Sequence, residues 1–449
     1  MKKRKKWIIG ALIAGAILTA GYFATCSALD HFLKKGTLAR LIGRKTAVKL
    51  GADAGYLPFL WRGLSVRSDG LLVRGKPPHG LTEMSAANLR AYCTLQNLWQ
   101  RKWTIRRLQA SHLEVAFGQA AATQLERILP REPELQPQIE TSSPLDLDIR
   151  ETFIPRADMF WGENPDMVGG LKDVETRFYP KDHNLDCFGR GGTFRQTGWP
   201  DLKVDKLHLY YAKPKLTVQT AVFTLGSPQN INVSGEFDFG PAWGMHLQLR
   251  ATQAPARNFI KGYWQGKLEG IFDSENDLDK KSEPGSKVDA TGVIRFTRGI
   301  VRNVEALKQI AAVTRHPQFE QPKIDVLAMH YRWNGSRLEV SQFEVETKGL
   351  MRVEGDFVIK NENIEGQFKV GVAPDVAESI PGAREKVFTS SRGSYLWTSM
   401  KLEGPVKHPR EDLKQRLVTA AGEHFAKGFL APILKPGKGL LQMLNAIYK

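Results

Sequence analysis

One stretch near the carboxyl end decides the fold: Asp289-Ala-Thr-Gly-Val-Ile-Arg-Phe-Thr-Arg-Gly-Ile-Val-Arg-Asn-Val-Glu-Ala-Leu-Lys308. Two short apolar segments meet in it at Arg298-Gly299, and the apolar spacing that follows predicts a short helix from Val304 to Ala312. Alternating segments come next, the first ending at Asn334-Gly335, a pair that favours a hairpin because both residues tolerate positive φ. The stretch therefore predicts a β-meander with one apolar and one polar face.

The apolar face of this meander is predicted from residues that share one parity on each strand, because side chains of a strand alternate between its two faces. The residues are Leu327, Met329, Tyr331 and Trp333, then Met351, Val353, Phe357 and Ile359, then Ile364, Phe368, Val370 and Val372. They line either a groove that is open along one edge or a closed core. The sequence leaves both alternatives open.

The same stretch resembles the C-terminal conserved region of the AsmA-like family. In that family a glycine-bearing strand leads to a turn with an asparagine, then to a short helix and a meander. The matching positions are Gly292, Gly299, Asn303 and Leu307, with Leu402-Glu-Gly-Pro-Val-Lys-His-Pro409 similar to the closing strand. Arg298 departs from the pattern, since an acidic residue or Asn is common there.

A second region, 59–117, is similar to the N-terminal part of the same family. Phe59 to Arg74 predicts a strand, a turn at Asp69-Gly70 and a second strand. Met84 to Ala91 and Leu98 to Val115 resemble the segment and the strand pair that follow in the family. The two matched regions lie at opposite ends of the part of the chain that follows the N-terminal apolar run.

The amino terminus predicts a membrane anchor. Basic residues at positions 2–6 precede an uncharged run from Trp7 to Leu29, which contains Leu12, Ile17, Tyr22 and Phe23. As a helix this run reaches roughly 34 Å, enough to cross a hydrocarbon core of about 30 Å. The basic residues predict a cytoplasmic N-terminus and export of the rest of the chain. A cleaved signal peptide is the alternative, and the length of the run favours a retained anchor.

Positive charge is concentrated beside this run. The chain has 449 residues and a net charge of +17, and residues 1–110 hold 20 Lys and Arg against four acids. This placement favours contact with anionic head groups over nucleic acid. An amphipathic stretch from Asp30 to Lys49 supplies the candidate head-group residues, which are Lys34, Lys35, Arg40, Arg44 and Lys45. A packed helix with a solvated basic side is an equal alternative.

The chain divides in sequence into an anchor (1–29), an N-terminal region (30–120), a Pro-rich linker (121–144), a middle β region (145–285), a C-terminal β region (286–408) and an amphipathic helical tail (409–449). Gln119 to Ile128 predicts a short helix at the start of the linker. The tail carries Leu413, Leu417, Ala421, Phe425 and Phe429 at helical spacing, after Pro409. Two alternatives are open for this tail: it docks on a membrane or a partner, or it plugs the end of the sheet. The plug is the favoured alternative.

A short repeat, hydrophobic-x-Gly-x-hydrophobic, recurs along the β regions. It is centred on Gly235, Gly266, Gly355 and Gly366. A glycine inside a strand marks a bend, a bulge or a close approach by another group. The repeat is consistent with a curled sheet that has space on its apolar side, and also with a sandwich core in which each glycine faces an aromatic ring.

Signatures of catalysis and of metal binding are not found in the sequence, which predicts no enzyme, no catalytic residue, no metal and no cofactor. Gly189-Arg-Gly-Gly192 predicts a loop, and His183 beside Asp182 a polar turn. Asp146 and Asp148 lie on the polar side of a strand. Cys26, Cys93 and Cys187 form neither a disulfide framework nor a metal site, and Cys93 and Cys187 are either paired or free.

The resemblance implies a fold and a function for the whole chain. The expected fold is mainly β, an elongated and curled antiparallel sheet with an apolar interior, one N-terminal transmembrane helix, a few short helices and a C-terminal amphipathic helical tail. The implied location is the bacterial inner membrane, with the main body in the periplasm. The implied function is phospholipid transport between inner and outer membranes, with membrane phospholipid as the partner and other envelope proteins or further copies of the chain as additional ones. A structural or assembly factor of the envelope is the alternative.

Overall fold

Strands account for most of the chain, as the alternating sequence predicts. A computed structural model describes residues 36–62, 65–75, 81–94, 102–137, 146–181, 184–226, 228–240, 244–260, 265–281, 288–406 and 409–422. The chain is mainly β, and most of its strand pairs are antiparallel. It forms two units, one of residues 1–197 and 201–210 and the other of residues 198–200 and 211–449. The division falls inside the region 145–285 that the sequence treats as one.

The described part of the first unit contains two helices and the strands up to residue 210. Its elements are α1 (Thr37–Leu50), β1 (Ala52–Tyr56), β2 (Phe59–Arg62), β3 (Ser65–Gly75), β4 (Leu81–Thr94), β5 (Lys102–Gln109), β6 (His112–Phe117), α2 (Gln119–Ala122), β7 (Asp146–Ile149), β8 (Thr152–Trp161), β9 (Gly169–Lys181), β10 (Asn184–Arg190), β11 (Thr193–Gln196) and β12 (Leu202–Ala212). A single 3₁₀ turn, Pro165–Met167, separates β8 from β9.

The pairing of this unit is antiparallel except at one place. β8 lies parallel to β6, and both β7 and β8 lie parallel to β5. The predicted antiparallel sheet therefore includes parallel pairs here. The physical reason is the long connection after β6, because a parallel pair needs a crossover of a dozen residues or more. Residues 118–145 provide such a crossover.

The predicted turn at Asp69-Gly70 is also wrong, because β3 runs through both residues. Along one edge, β3 pairs with β2 through residues 65–68 and with β1 through residues 71–75. Asp69 and Gly70 lie between the residues of β3 that pair with β2 and those that pair with β1. A Cβ on Gly70 would be 2.4 Å from the terminal Cδ2 methyl of Leu129 in the linker, so the glycine allows that side chain to approach the strand. The glycine serves a close approach rather than a turn.

The linker is less helical than predicted. Its helix, α2, ends at Ala122 instead of near Ile128. The described residues after α2, up to residue 137, lie within the first unit, where Gln136 forms an isolated bridge with Ala54. Arg74 of β3 pairs with Glu132 of the linker at 3.0 Å. The linker is thus part of the unit and not a free spacer.

Helix α1 packs on the first unit through its apolar side. Leu38 and Ala39 are buried against Phe59 and Val66, and Ala47 is buried in a neighbouring cluster. The amphipathic stretch therefore contains a packed helix, one of the two alternatives. Burial also raises the pKa of the Tyr56 hydroxyl in this region, and Thr46 lies 3.2 Å from that hydroxyl.

The second unit contains the remaining elements. They are β13 (Lys215–Gly226), β14 (Gln229–Asp238), β15 (Gly244–Pro255), α3 (Ala256–Phe259), β16 (Leu268–Lys280), β17 (Asp289–Val301), α4 (Glu305–Thr314), a 3₁₀ turn (Pro317–Phe319), β18 (Lys323–Ile324), β19 (Val326–Trp333), β20 (Arg337–Thr347), β21 (Met351–Lys360), β22 (Asn363–Val372), α5 (Pro374–Ser379), α6 (Ala383–Lys386), β23 (Ser390–Arg392), β24 (Tyr395–Pro405), β25 (Arg410–Glu411) and α7 (Leu413–Ala421).

This unit contains the meander that was predicted for residues 288–372. Strands β13 to β17, then β19 to β22, pair antiparallel with their sequence neighbours, and β24 follows β22. The helix predicted from Val304 to Ala312 is confirmed as α4. The hairpin at Asn334-Gly335 is confirmed too, and the Asn334 side chain accepts hydrogen bonds from the backbone N–H of Ser336 and of Arg337.

Helices close one end of the meander. Val376 and Ala377 of α5, Ala383 of α6 and Leu417 of α7 belong to the same buried cluster as the strands β19 to β24. The predicted tail helix is confirmed from Leu413 to Ala421. Residues 423–449 lie outside the described residues. The described part of the tail covers the apolar face of the sheet, as a plug does.

Cys93 and Cys187 are free thiols, the second of them buried. Burial, together with the neighbouring Asp186 carboxylate, raises the pKa of Cys187 to about 12. Cys26 lies outside the described residues. Among the described residues, no helix is long and apolar enough to cross a membrane. The predicted transmembrane residues Trp7, Leu12, Ile17, Tyr22 and Phe23 also lie outside them.

Candidate functional site

A continuous apolar row crosses the second unit from strand to strand. Residues directly opposite each other in antiparallel strands share a face of the sheet. The row runs Gly235, Leu247, Leu278, Ala290, Trp333, Leu338, Ile359, Ile364 and Gly404, from β14 to β24. Eight strand spacings of about 4.8 Å make this row roughly 38 Å long. We call it, with the row described next, the apolar face.

A second row lies two residues along each strand on the same face. It runs Val233, Leu249, Asn276, Gly292, Tyr331, Val340, Phe357, Gly366 and Leu402. All members are apolar or glycine except Asn276, with Tyr331 bearing a hydroxyl. The register of nine strands, which no single segment encodes, thus joins the separate apolar stripes into one surface.

Exposure changes along the apolar face. On β15, Met245, Leu247 and Leu249 are half-buried, and the alternate residues His246, Gln248 and Arg250 are exposed on the other face. At the opposite end Leu338 is 2 %, Ile359 0 % and Ile364 1 % exposed. The face is therefore partly open over β14 to β16 and closed over β20 to β24, where α5, α6 and α7 cover it.

The predicted groove residues lie together, as their shared parity requires. Leu327, Met329, Val353, Phe357, Ile359, Ile364, Phe368 and Val370 are buried, and Tyr331, Trp333 and Met351 are half-buried. All except Leu327, which lies in an adjoining cluster, belong to or pack against the cluster that the helices cover. At these strands the structure contains the closed core of the two alternatives, because α5, α6 and α7 pack over the sheet.

The repeated glycines have different roles. Gly355 and Gly366 lie beside phenylalanines of the neighbouring strand in the same sheet, since a Cβ would be 2.7 Å from Cδ1 of Phe368 in the first case and 2.7 Å from Cβ of Phe357 in the second. Gly235 has φ of 138°, and a Cβ there would be 2.1 Å from the backbone oxygen of His246. Gly266 lies in a turn before β16 and not in a strand, so the repeat does not extend to it.

Polar groups within the apolar face are satisfied internally. The Asn276 side chain donates to the backbone oxygen of Leu249 at 3.3 Å and to the Ser274 hydroxyl at 3.1 Å. It accepts a hydrogen bond from the Tyr331 hydroxyl at 2.8 Å. Burial and the nearby Asp277 carboxylate raise the pKa of Tyr331 to about 12, so the hydroxyl stays protonated. The face thus presents neutral groups to anything that contacts it.

The other face of β15 and β16 is charged and exposed to solvent. His246 lies 2.7 Å from Asp279, and Arg250 lies 2.9 Å from Glu275. Exposed pairs of this kind contribute only about 0–1 kcal/mol each. Their main effect is solubility of this face. Adjacent residues of β15 thus differ in polarity, and an apolar ligand would contact the apolar ones.

The candidate head-group residues that the structure describes lie on α1. Arg40 is exposed, whereas Arg44 and Lys45 are half-buried. Lys34 and Lys35 lie outside the described residues, as does the His183–Asp182 turn. Gly191 and Gly192 form a turn between β10 and β11, both with positive φ, as the loop prediction requires.

One polar cluster in the structure was not predicted from the sequence. His112 and Glu114 of β6 meet Asp158 of β8, and their ligand atoms all lie within 4.8 Å of one another. The spacing His112-x-Glu114 places both side chains on one face of a strand, and this was the available signal. Asp158 lies 46 residues from His112 in the chain. Its approach depends on the parallel β6–β8 pair, which the sequence did not predict.

Comparisons with family models, with curated proteins and with solved structures give no match to this chain.

Proposed function

We propose that this chain is a membrane-anchored envelope protein of the AsmA-like type that binds phospholipid along the apolar face and moves it between the inner and outer membranes. The observation that carries the proposal is the continuous row from Gly235 to Gly404, which is half-exposed over β14 to β16. An apolar row of this kind can contact the CH₂ groups of an acyl chain along its length. Binding of this kind requires no catalytic group.

The energetics favour an acyl chain over water on this face. Transfer of a hydrocarbon chain to an apolar surface is worth about 0.8 kcal/mol per buried CH₂. Asn276 adds little penalty, because its donors and its acceptor already have partners in the protein. The head group stays in water at the edge of the sheet. Lipid transfer of this kind needs no covalent step.

The helices that cover β20 to β24 determine where lipid can first contact the apolar face. Lipid contacts Met245, Leu247 and Leu249 first, where the face is half-exposed, and reaches the predicted groove residues only if α5 to α7 move. The closed end then acts as a stop or a gate. The elongated, curled arrangement that the resemblance implies is part of this proposal.

Co-purification of phospholipid tests the proposal. The full chain is purified in a non-lipid detergent and its bound phospholipid is measured by native mass spectrometry. The unaltered chain and Gln248→Asp, whose change lies on the exposed face, should retain phospholipid, and Leu249→Asp should lose most of it. Equal lipid content in all three proteins, or none in any, would contradict the proposal.

The anchor and the basic helix belong to the same proposal. The run Trp7–Leu29 spans the inner membrane with the N-terminus in the cytoplasm, and the main body lies in the periplasm. Lys34, Lys35, Arg40, Arg44 and Lys45 contact anionic head groups, which attract each base by about 1 kcal/mol near the surface. A chain that stays with membranes after an alkaline carbonate wash supports the anchor, and a chain released by the wash contradicts it.

An envelope structural or assembly factor is the second candidate. The observation that favours it is the helix-covered core over β20 to β24, which is what a scaffold needs and a lipid conduit does not. Other envelope proteins or further copies of the chain would then be its partners. The absence of lipid from the purified chain, combined with stable association with such proteins, would favour this candidate.

A further inference from the structure

Three titratable side chains meet in the interior of the first unit. Glu114 is 0 %, Asp158 1 % and His112 9 % exposed. The Nε2 atom of His112 lies 2.8 Å from Oδ2 of Asp158 and 3.9 Å from Oε1 of Glu114. We call these residues the buried triad.

Strand register explains why the triad forms. Glu114 is directly opposite Asp158 in the parallel β6–β8 pair and directly opposite Ser85 in the antiparallel β4–β6 pair. His112 lies two residues before Glu114, on the same face. The three neighbouring strands therefore project their polar side chains to one point, and the backbone holds them there.

Partial hydrogen bonding orients both carboxylates. The backbone N–H of Asp173 donates to Oδ1 of Asp158 at 2.6 Å, and that of Glu126 donates to Oε1 of Glu114 at 3.2 Å. The Ser85 hydroxyl donates to Oε2 of Glu114 at 3.4 Å. This arrangement resembles the outer shell of a metal site, in which ligands are held by hydrogen bonds from the surrounding protein.

The negative charge of the Glu114 and Asp158 carboxylates favours binding of a cation. Two carboxylates face each other away from water, and burial of such groups is costly unless they are paired. Arg156 approaches Asp158 only to 3.7 Å and is 41 % exposed, and it also pairs with Asp173 at 2.7 Å. Arg156 therefore does not neutralise Glu114, whose basic neighbour is His112 at 3.9 Å.

The ligand set and its spacing fit a divalent transition ion. Zinc binds imidazole nitrogen and carboxylate oxygen at about 2.0–2.2 Å. Tetrahedral bonds of that length place ligand atoms roughly 3.4 Å apart. The two distances from His112, 2.8 and 3.9 Å, lie on either side of this value. An imidazole ligand also selects zinc and its neighbours over Mg²⁺ and Ca²⁺, which prefer oxygen.

A cleft lies next to the triad. It has a volume of about 390 Å³, lies between β3, β4 and the linker, and is lined by Ser85 and Glu126, among others. Both residues donate hydrogen bonds to Glu114. Ser85 and Glu126 therefore lie between the cleft and the triad.

We propose that His112, Glu114 and Asp158 form a binding site for a divalent transition-metal ion of the zinc class, which ties β6 to β8 inside the first unit. The ion replaces the His112–Asp158 hydrogen bond with two bonds to metal and neutralises both carboxylates. It links the parallel crossover to the rest of the sheet.

Zinc titration of the full chain tests this site. The protein carries no polyhistidine tag, is purified in detergent and stripped with a chelator, and is titrated calorimetrically with zinc chloride at pH 7.5. One equivalent should bind. Glu114→Gln and Asp158→Asn should each weaken binding at least about 100-fold, more than loss of an outer-shell group usually costs. His246→Gln, which removes another histidine–aspartate pair, should bind like the unaltered chain.

Two further measurements keep the test independent of the folding of the variants. X-ray absorption of the zinc-loaded chain should give one imidazole and otherwise oxygen ligands. Zinc should raise the melting temperature of the unaltered chain, and Mg²⁺ at the same concentration should not. Zinc binding that is equal in the unaltered chain and the triad variants, or an ion without an imidazole ligand, would overturn the proposal and leave the triad a structural ion pair.

Discussion

Phe357 lies directly opposite Gly366 in the β21–β22 pair, and no Cβ can be accommodated between them. A Cβ on Gly366 would be 2.7 Å from Cβ of Phe357 and 2.8 Å from the ring of Phe368. The two rings pack with centroids 5.9 Å apart. The glycine is therefore required by the aromatic packing of this strand pair.

Gly366→Ala should destabilise the second unit. Overpacking of a close-packed core typically costs about 1–3 kcal/mol. Urea unfolding followed by tryptophan fluorescence measures the change. Adding Phe368→Leu to Gly366→Ala should restore part of the loss, because leucine lacks the ring atom Cε2 that would lie 2.8 Å from the new methyl group. Effects of the two changes that simply add would contradict a direct contact.

A charge in the closed end of the apolar face should be costly. Val353 is 4 % exposed and lies under the helix-covered cluster, so Val353→Asp places a carboxylate in an apolar site without a partner. We expect a loss of about 4 kcal/mol or more. Val353→Ala separates the effect of the cavity, and Leu249→Asp, on the half-exposed part, should cost less. Equal stabilities of Val353→Asp and Val353→Ala would indicate an open groove at this strand.

The stability contributed by Glu354 should depend on pH. Burial by itself would raise its pKa, but the Arg392 and Arg352 guanidinium groups outweigh burial and lower it. A carboxyl whose pKa is lower in the folded state stabilises above its unfolded value, about 4.3 for Glu, and loses that contribution as pH falls through the folded value. The contribution is therefore complete at pH 7 and absent at sufficiently acid pH.

Glu354→Gln should consequently cost about 0.5–1 kcal/mol at pH 7, since the pairs are partly exposed. The difference from the unaltered chain should shrink at pH 3, as measured by urea unfolding at both values. Glu385→Gln, at an exposed position on α6, is the control and should show no such change. A Glu354→Gln difference of the same size at both pH values would exclude the ion pairs as its cause.

The meander was predictable because its signals are local. Phe357 and Phe368 lie on the expected face since strand side chains alternate, and Asn334-Gly335 forms the expected hairpin. The tail helix was expected as a plug, but the part of the cover that α5 and α6 form was not predicted, because these helices are too short to show helical periodicity. The row from Gly235 to Gly404 depends on the register of nine strands. The buried triad depends on a parallel crossover.

Photo-crosslinking at two adjacent residues of β15 tests the central claim most directly. A photoreactive amino acid replaces Leu247, which is half-buried on the apolar face, or Gln248, which is exposed on the other face. Both full-length chains are illuminated in the membranes of a producing bacterium, and attached phospholipid is identified by mass spectrometry. The account predicts phospholipid attached at Leu247 and little at Gln248. Equal attachment at both positions, or none at Leu247, would contradict it.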